Sequence, residues 1–196
     1  MARVPAGNHD HIKRVLDSGA FGVIVPMVMD REQALACVAA AKYPPTGNRS
    51  VGGSLHAFNF AASPATYYAE ANDRLLVVLQ CEHIAAADRA DEIFSVPGID
   101  AIFVGPNDLA ASMRDVSGRE PSPEAFENAL QKILAACKRH GVAAGVHCFS
   151  AAEVQKRIDE GWQFLALGSD LSLMMQATKR DLQVLNFEAK GELANY

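Results

Sequence analysis

Apolar residues fall along this chain in two alternating patterns. Short, mainly apolar runs cover Phe21 to Val25, Leu75 to Cys81, Ala101 to Val104, Ala143 to Cys148 and Phe164 to Gly168, with a stub at Ala2 to Val4. Runs of that length, closed by turn-forming residues, read as strands covered on both faces, as in a parallel sheet. Between them apolar positions recur every third or fourth residue, the spacing of helices with one buried face. The helices expected are Asp10 to Ser18, Asp30 to Lys42, Ala65 to Asn72, Ala85 to Val96, Pro123 to His140, Ser150 to Glu160 and Leu171 to Leu185. Asp30 suits an N-cap with Gln33 in capping-box position, and Gly141 suits a C-terminal stop. Segments rich in Pro, Gly, Ser and Asn, Tyr43 to Pro64 and Ser112 to Ser122, read as loops. Strand and helix alternate without a composition break, which predicts one α/β domain over residues 1–196, a parallel sheet or a (β/α) barrel.

In such folds chemistry gathers at the C-terminal ends of the strands. Glu82 closes the run Leu75 to Cys81, and Asp108 follows the run Ala101 to Val104 by a few residues. Two carboxylates at neighbouring strand ends converge on one point, and such oxygen ligands suit a hard divalent cation, Mg²⁺ or Mn²⁺. Each acid taken alone also suits a helix N-cap, Asp108 especially, standing before Leu109-Ala110-Ala111-Ser112. Gln80 shares side-chain parity with Glu82, fit either to orient a metal-bound water or to be satisfied by backbone. A turn at Gly105-Pro106-Asn107 can offer the N–H groups of Asn107 and Asp108 to an anionic carboxylate.

Composition narrows the function classes. The net charge of −5 has its signs interspersed, which excludes the electrostatic footprint of a nucleic-acid binder. Although 49% of residues are hydrophobic, no apolar run approaches the ~20 residues of a membrane span, and no cationic-then-apolar leader is present. A cytoplasmic protein is expected. Cys37, Cys81, Cys137 and Cys148 lack C-x-x-C spacing and read as buried, reduced thiols rather than a zinc site or disulfide framework. No lysine stands at a strand end to form a Schiff base, since Lys42, Lys132 and Lys138 fall on helices.

Four stretches, in order, resemble motifs of the HpcH/HpaI aldolases, metal-dependent enzymes of 2-oxo acids. Gln80-Cys81-Glu82 resembles the family's Gln-x-Glu, and Gly98-Ile99-Asp100 through Gly105-Pro106-Asn107-Asp108-Leu109 its Gly-Val-Asp and Gly-Pro-x-Asp-Leu. Tyr43-Pro44-Pro45-Thr46-Gly47-Asn48-Arg49 is similar to its Tyr-Pro-Pro loop, and Gly19 through Val28 to its fourth strand.

The resemblance implies a TIM-type barrel in which these strands are numbers three to eight of eight, so the first two βα units are expected to be absent. The histidine proposed as base in the family belongs to that part. Glu82 and Asp108 are implied as ligands of Mg²⁺ or Mn²⁺, with Co²⁺ also admissible, and Arg3 as the contact to the 2-oxo group. Gln80, Gly105, Pro106 and Asn107 are implied at the substrate, with Ser54 at its rim, while Arg49 fixes its own loop. His83, one residue past Glu82, is expected to face away from the metal, and the remaining histidines are read as structural. The implied activity is reversible cleavage of a 4-hydroxy-2-oxo acid to pyruvate, or an analogue, and an aldehyde. Two alternatives stand beside it: a CoA-ester lyase of the citrate lyase β type, for which no clear basic cluster is visible, and a non-catalytic relative or fragment that binds metal and 2-oxo acid. The implied partners are a small-molecule 2-oxo acid and other copies of the chain. The segment Leu171-Ser172-Leu173-Met174-Met175 suits an exchanged helix, or else packing onto the chain's own sheet.

Overall fold

Each apolar run forms a strand, and each strand pairs in parallel with the next in sequence. The computed structural model describes residues 1–185, so residues 186–196 of the expected domain lie outside the described residues. The chain opens with β1 (Ala2–Arg3), α1 (His9–Asp17), β2 (Gly22–Val25), α2 (Arg31–Ala41), α3 (Leu55–Phe58) and α4 (Pro64–Arg74). It continues with β3 (Leu76–Gln80), α5 (Ile84–Asp88), α6 (Ala90–Phe94), β4 (Ala101–Val104) and α7 (Pro106–Ser112). The last elements are α8 (Pro123–His140), β5 (Ala143–Cys148), α9 (Ala151–Glu160), β6 (Phe164–Leu167) and α10 (Asp170–Val184). The sheet order is β1-β2-β3-β4-β5-β6. That unbroken order, with helices as crossovers, is the order of a TIM-type barrel, here an open six-stranded part of one.

Strand alternation divides the sheet into two faces. Val23, Val25, Val77, Leu79, Cys81, Ile102, Val104, Ala144, Val146 and Cys148 are buried in one apolar core with the helices. Ile12 and Leu16 of α1, Cys37 and Val38 of α2, Ile93 and Phe94 of α6, and Leu130, Ile133 and Leu134 of α8 complete it. The opposite, concave face carries the intervening residues, among them Ile24, Val78, Gln80, Phe103, Gly145 and Phe164, in register across the sheet.

Local signals act as their chemistry requires. The Asp30 carboxylate accepts from Gln33 N–H, but the Gln33 amide oxygen accepts from Met29 N–H, one residue before the position a capping box requires. Gly141 ends α8 at φ 67°, open to glycine at no steric cost. Arg49 is fully buried, donates to Asp17 Oδ1 at 2.7 Å and lies 4.4 Å from the centre of the Tyr43 ring, pinning its loop as expected. All four cysteines are free and buried.

Three expectations need correction, and one open alternative narrows. The stretch Ala85 to Val96 is two helices broken at Arg89, whose ψ of 17° ends the helical path. The loop Tyr43 to Pro64 contains the single turn α3, and the turn expected at Gly105-Pro106-Asn107 is the start of α7, with Pro106 in its first turn where a missing N–H costs nothing. Helix α10 buries none of its residues, with Leu171, Leu173 and Met174 each more than 40% exposed, so packing of this segment onto the sheet is not seen among the described residues.

Candidate active site

At the C-terminal end of β3 the chain leaves the sheet with Gln80 and Glu82 both on the concave side, and both are buried although polar. Glu82 is only 3% exposed. Its two oxygens are held separately: Oε1 accepts from the backbone N–H of Met27 at 2.9 Å, and Oε2 from Gln80 Nε2 at 2.7 Å. Gln80 Oε1 in turn accepts from Arg3 Nε at 3.1 Å. A continuous row therefore runs from β1 through β3 to the loop after β2. Each amide or guanidinium group in it fixes the next, leaving the Arg3 terminal nitrogens free of the row.

Gly105 completes this surface. A Cβ there would run into Glu82 Oε2 and lie 3.3 Å from Glu82 Cβ, so the carboxylate rests against backbone that only glycine leaves bare. From Gly105, the N-cap of α7, the chain turns into the helix, and Asp108 falls in its first turn, exposed to solvent. Asp108 therefore does not cap α7, and Glu82 caps nothing. The cap of α5 is His83, whose Nδ1 accepts from Ala85 N–H at 3.1 Å. The N–H groups of Asn107 and Asp108 have no partner within their helix.

Burial pushes the Glu82 carboxyl above the usual range and the Asp108 charge adds to the rise, while the Met27 N–H and the Arg3 charge oppose it. Two carboxylates thus repel across a site in which no described side chain bonds Asp108. Each Glu82 oxygen keeps a lone pair beyond the hydrogen bond it accepts. This donor set fits a hard divalent cation completed by water and ligand oxygens, and among the described residues no group of three metal-binding side chains competes with it.

The structure brings together Arg3, Gln80, Glu82 and Gly105, with Pro106, Asn107 and Asp108 beside them. Ser54 is exposed at the start of α3 and is bonded to none of these residues. Met27 is the participant that sequence reasoning missed. Its contribution is a backbone N–H aimed by a φ of 53°, and the side chain carries no signal of that role. The Arg3-Gln80 bond was equally hidden, because it joins residues 77 positions apart.

Comparison with known proteins gives consistent results. The family model HpcH/HpaI aldolase/citrate lyase matches residues 1–177. A 5-keto-4-deoxy-D-glucarate aldolase of Klebsiella pneumoniae is 36% identical over 92% of this chain and 69% of its own length. A hydroxypyruvate/pyruvate aldolase of Roseovarius nubinhibens is 37% identical over 93% of this chain and 70% of its own. Among solved structures, an HpcH/HpaI aldolase/citrate lyase family protein of Burkholderia cenocepacia superposes with a TM-score of 0.83 at 32% identity, over 94% of this chain and 72% of the other.

Proposed function

The chain belongs to the HpcH/HpaI aldolase/citrate lyase family, and from that premise we propose that it is a metal-dependent aldolase reversibly cleaving a 4-hydroxy-2-oxo acid to pyruvate, or a close analogue, and an aldehyde. The observation that carries this reading is the buried Glu82 carboxylate, aligned by Gln80 and Met27 and set near Asp108, with the Arg3 charge opposing the rise of its carboxyl only in part. Glu82 and Asp108 would hold Mg²⁺ or Mn²⁺. When bound, that ion supplies Lewis acidity toward the keto and carboxylate oxygens of the 2-oxo acid.

The chain's own residues supply the rest. Arg3, tethered through Nε to Gln80, presents its remaining N–H groups to the keto oxygen, where negative charge grows as the C3–C4 bond breaks. Gln80 spends both ends of its amide on Arg3 and Glu82, so it positions the two groups rather than touching substrate. The free N–H groups of Asn107 and Asp108 suit the substrate carboxylate. As the C4 hydroxyl gives its proton to solvent water, its carbon becomes the aldehyde carbonyl, and the electron pair of the broken bond passes through C3 to the keto oxygen, after which C3 takes a proton from water to complete pyruvate.

We further propose that residues 1–196 form one domain, placed in the cytoplasm, and that it assembles with copies of itself. The four reduced thiols suit a reducing compartment, the exposed apolar residues of α10 suit self-association, and among the described residues no helix is long and apolar enough to cross a membrane.

The test is pyruvate release from a 4-hydroxy-2-oxo acid with Mn²⁺ or Mg²⁺. Turnover is expected from the chain, to be lost in Glu82→Ala and after EDTA, and to return with added metal. Full activity after EDTA would refute the assignment. Metal-dependent pyruvate binding without any cleavage would identify a non-catalytic relative.

A further inference from the structure

Beyond Glu82 the concave face continues across β4 to β5, where the bonded row does not reach. Val104 pairs with Val146, so Gly105 lies level with His147 on the neighbouring strand. Glu82 packs against the other side of Gly105. Glu82, Gly105 and His147 therefore form one row across adjacent strands, its ends about 10 Å apart at the usual strand spacing. The middle residue has no side chain and the Glu82 carboxylate rests against it, so within the row no other side chain stands between that carboxylate and the His147 imidazole. The apolar base of the row lies one step down the strands, where Phe103 pairs with Gly145 and Gly145 with Phe164. The Phe103 and Phe164 rings meet there with centroids 5.3 Å apart.

His147 is held as a directed group. The flanking Val146 and Cys148 are buried in the helix-side core, whereas His147 is half-buried on the concave side. Its Nε2 lies 2.9 Å from the carbonyl oxygen of Gly168, which can only accept, so Nε2 is the donor there and Nδ1 is the ring position left to accept. Nδ1 has no partner among the described residues and is not one of the buried unpaired atoms. Phe149 packs edge-on at 4.9 Å and fixes the plane of the ring.

We propose that His147 is a specificity-determining residue, whose Nδ1 accepts a hydrogen bond from a hydroxyl on the aldehyde half of the substrate, at the carbon beyond C4. The inference rests on the proposed function, because the Glu82 end of the row must hold the 2-oxo acid for its other half to extend along the row toward His147. It selects hydroxylated aldehydes over their alkyl isosteres.

Glycolaldehyde and propanal, which differ by hydroxyl for methyl, test this as partners of pyruvate with Mn²⁺. Binding of the corresponding products, 4,5-dihydroxy-2-oxopentanoate and 4-hydroxy-2-oxohexanoate, measured by calorimetry, gives the same comparison without requiring turnover. The chain is expected to favour the hydroxylated member. In His147→Leu, kcat/KM and affinity for that member are expected to fall about tenfold or more, with less than about threefold change for the isostere. His147→Gln, which keeps an acceptor, is expected to recover part of the preference. An unchanged Kd for pyruvate would show that both variants keep their fold and the 2-oxo acid site. Equal losses for the two members, or no loss for either, would overturn the role of His147 while leaving the aldolase reading intact. Absence of any metal-dependent pyruvate binding by the unsubstituted chain would overturn both.

Discussion

Met27 gives its backbone N–H to Glu82 Oε1 at 2.9 Å while holding φ at 53°, a left-handed conformation that costs a residue with a Cβ about 1 kcal/mol. The loop after β2 is thus bent to aim one amide at one carboxylate oxygen. The role belongs to the backbone, so Met27→Gly is expected to leave Mn²⁺ affinity within about threefold and stability within about 1 kcal/mol, relief of strain offsetting the added chain entropy. Met27→Pro removes the donor and fixes φ near −65°, and a loss of Mn²⁺ affinity of about tenfold or more is expected. Calorimetric titration with Mn²⁺ reads both variants. Equal affinities for Gly and Pro would show that the bond does not position the carboxylate.

Glu82→Gln separates binding from stability. The carboxyl is pushed above the usual range by burial first and by Asp108 second. The folded form therefore holds its proton more tightly than the unfolded chain, and metal-free stability from this group falls as pH rises from about 4.5 through the raised value. At neutral pH the neutral amide is expected to match or exceed the wild-type stability by about 1 kcal/mol without metal. With Mn²⁺ at a hundred times the wild-type Kd the order is expected to reverse, because ligand binding adds about 2.7 kcal/mol to the wild type alone. Thermal unfolding with and without Mn²⁺ measures this. A variant that melts lower without metal would show that the charge itself holds the fold.

Gly105→Ala tests the close approach. The backbone at φ −90° accepts alanine, so the conflict is with the Glu82 side chain. A Cβ displaces Oε2 from Gln80 and disturbs Arg3 through the same amide. Loss of about a hundredfold in kcat/KM is expected, with a change in stability under about 1.5 kcal/mol. Comparable loss in Ala110→Gly, on the same helix away from the carboxylate, would mean that α7 is merely sensitive to substitution.

The parts of this site that were legible in sequence are those set by local pattern. The apolar runs placed Glu82 and Asp108 at neighbouring strand ends because parallel strands need little beyond burial to be recognised. Arg3 was found only through family resemblance, since nothing in Arg3-Val4-Pro5 indicates a partner 77 residues away. The helical stretch from Ala85 to Val96 reads as continuous by periodicity, and its break at Arg89 is a backbone event no side-chain spacing encodes. The seat of Ser54 could not be fixed either, because its loop follows the tether Arg49-Asp17 rather than any periodic constraint. Tertiary bonds, above all those made by backbone, are the part that sequence withholds.

Away from the site, Glu127 on α8 joins α9 to the core and makes stability depend on acidity. Its carboxylate takes both terminal nitrogens of Arg157, at 2.7 and 3.0 Å, together with Lys156 Nζ at 2.8 Å and Gln131 Nε2 at 3.0 Å. Arg157 is only 4% exposed, so its charge depends on Glu127 and Glu160 for balance. The Arg157 bonds, with help from Lys156 and Gln131, hold the Glu127 carboxyl down at about 2, below its ordinary 4.5. The unfolded chain therefore takes up this proton first. The stabilisation is fully present above about 4.5 and is lost as pH falls toward about 2. Glu127→Gln is expected to cost about 2 kcal/mol at pH 7, because charged hydrogen bonds are removed from a buried guanidinium. The cost should shrink steadily below pH 4.5. Urea unfolding of both chains across pH 3 to 7 checks it, and a difference that stays constant over that range would show that Glu127 acts through packing rather than charge.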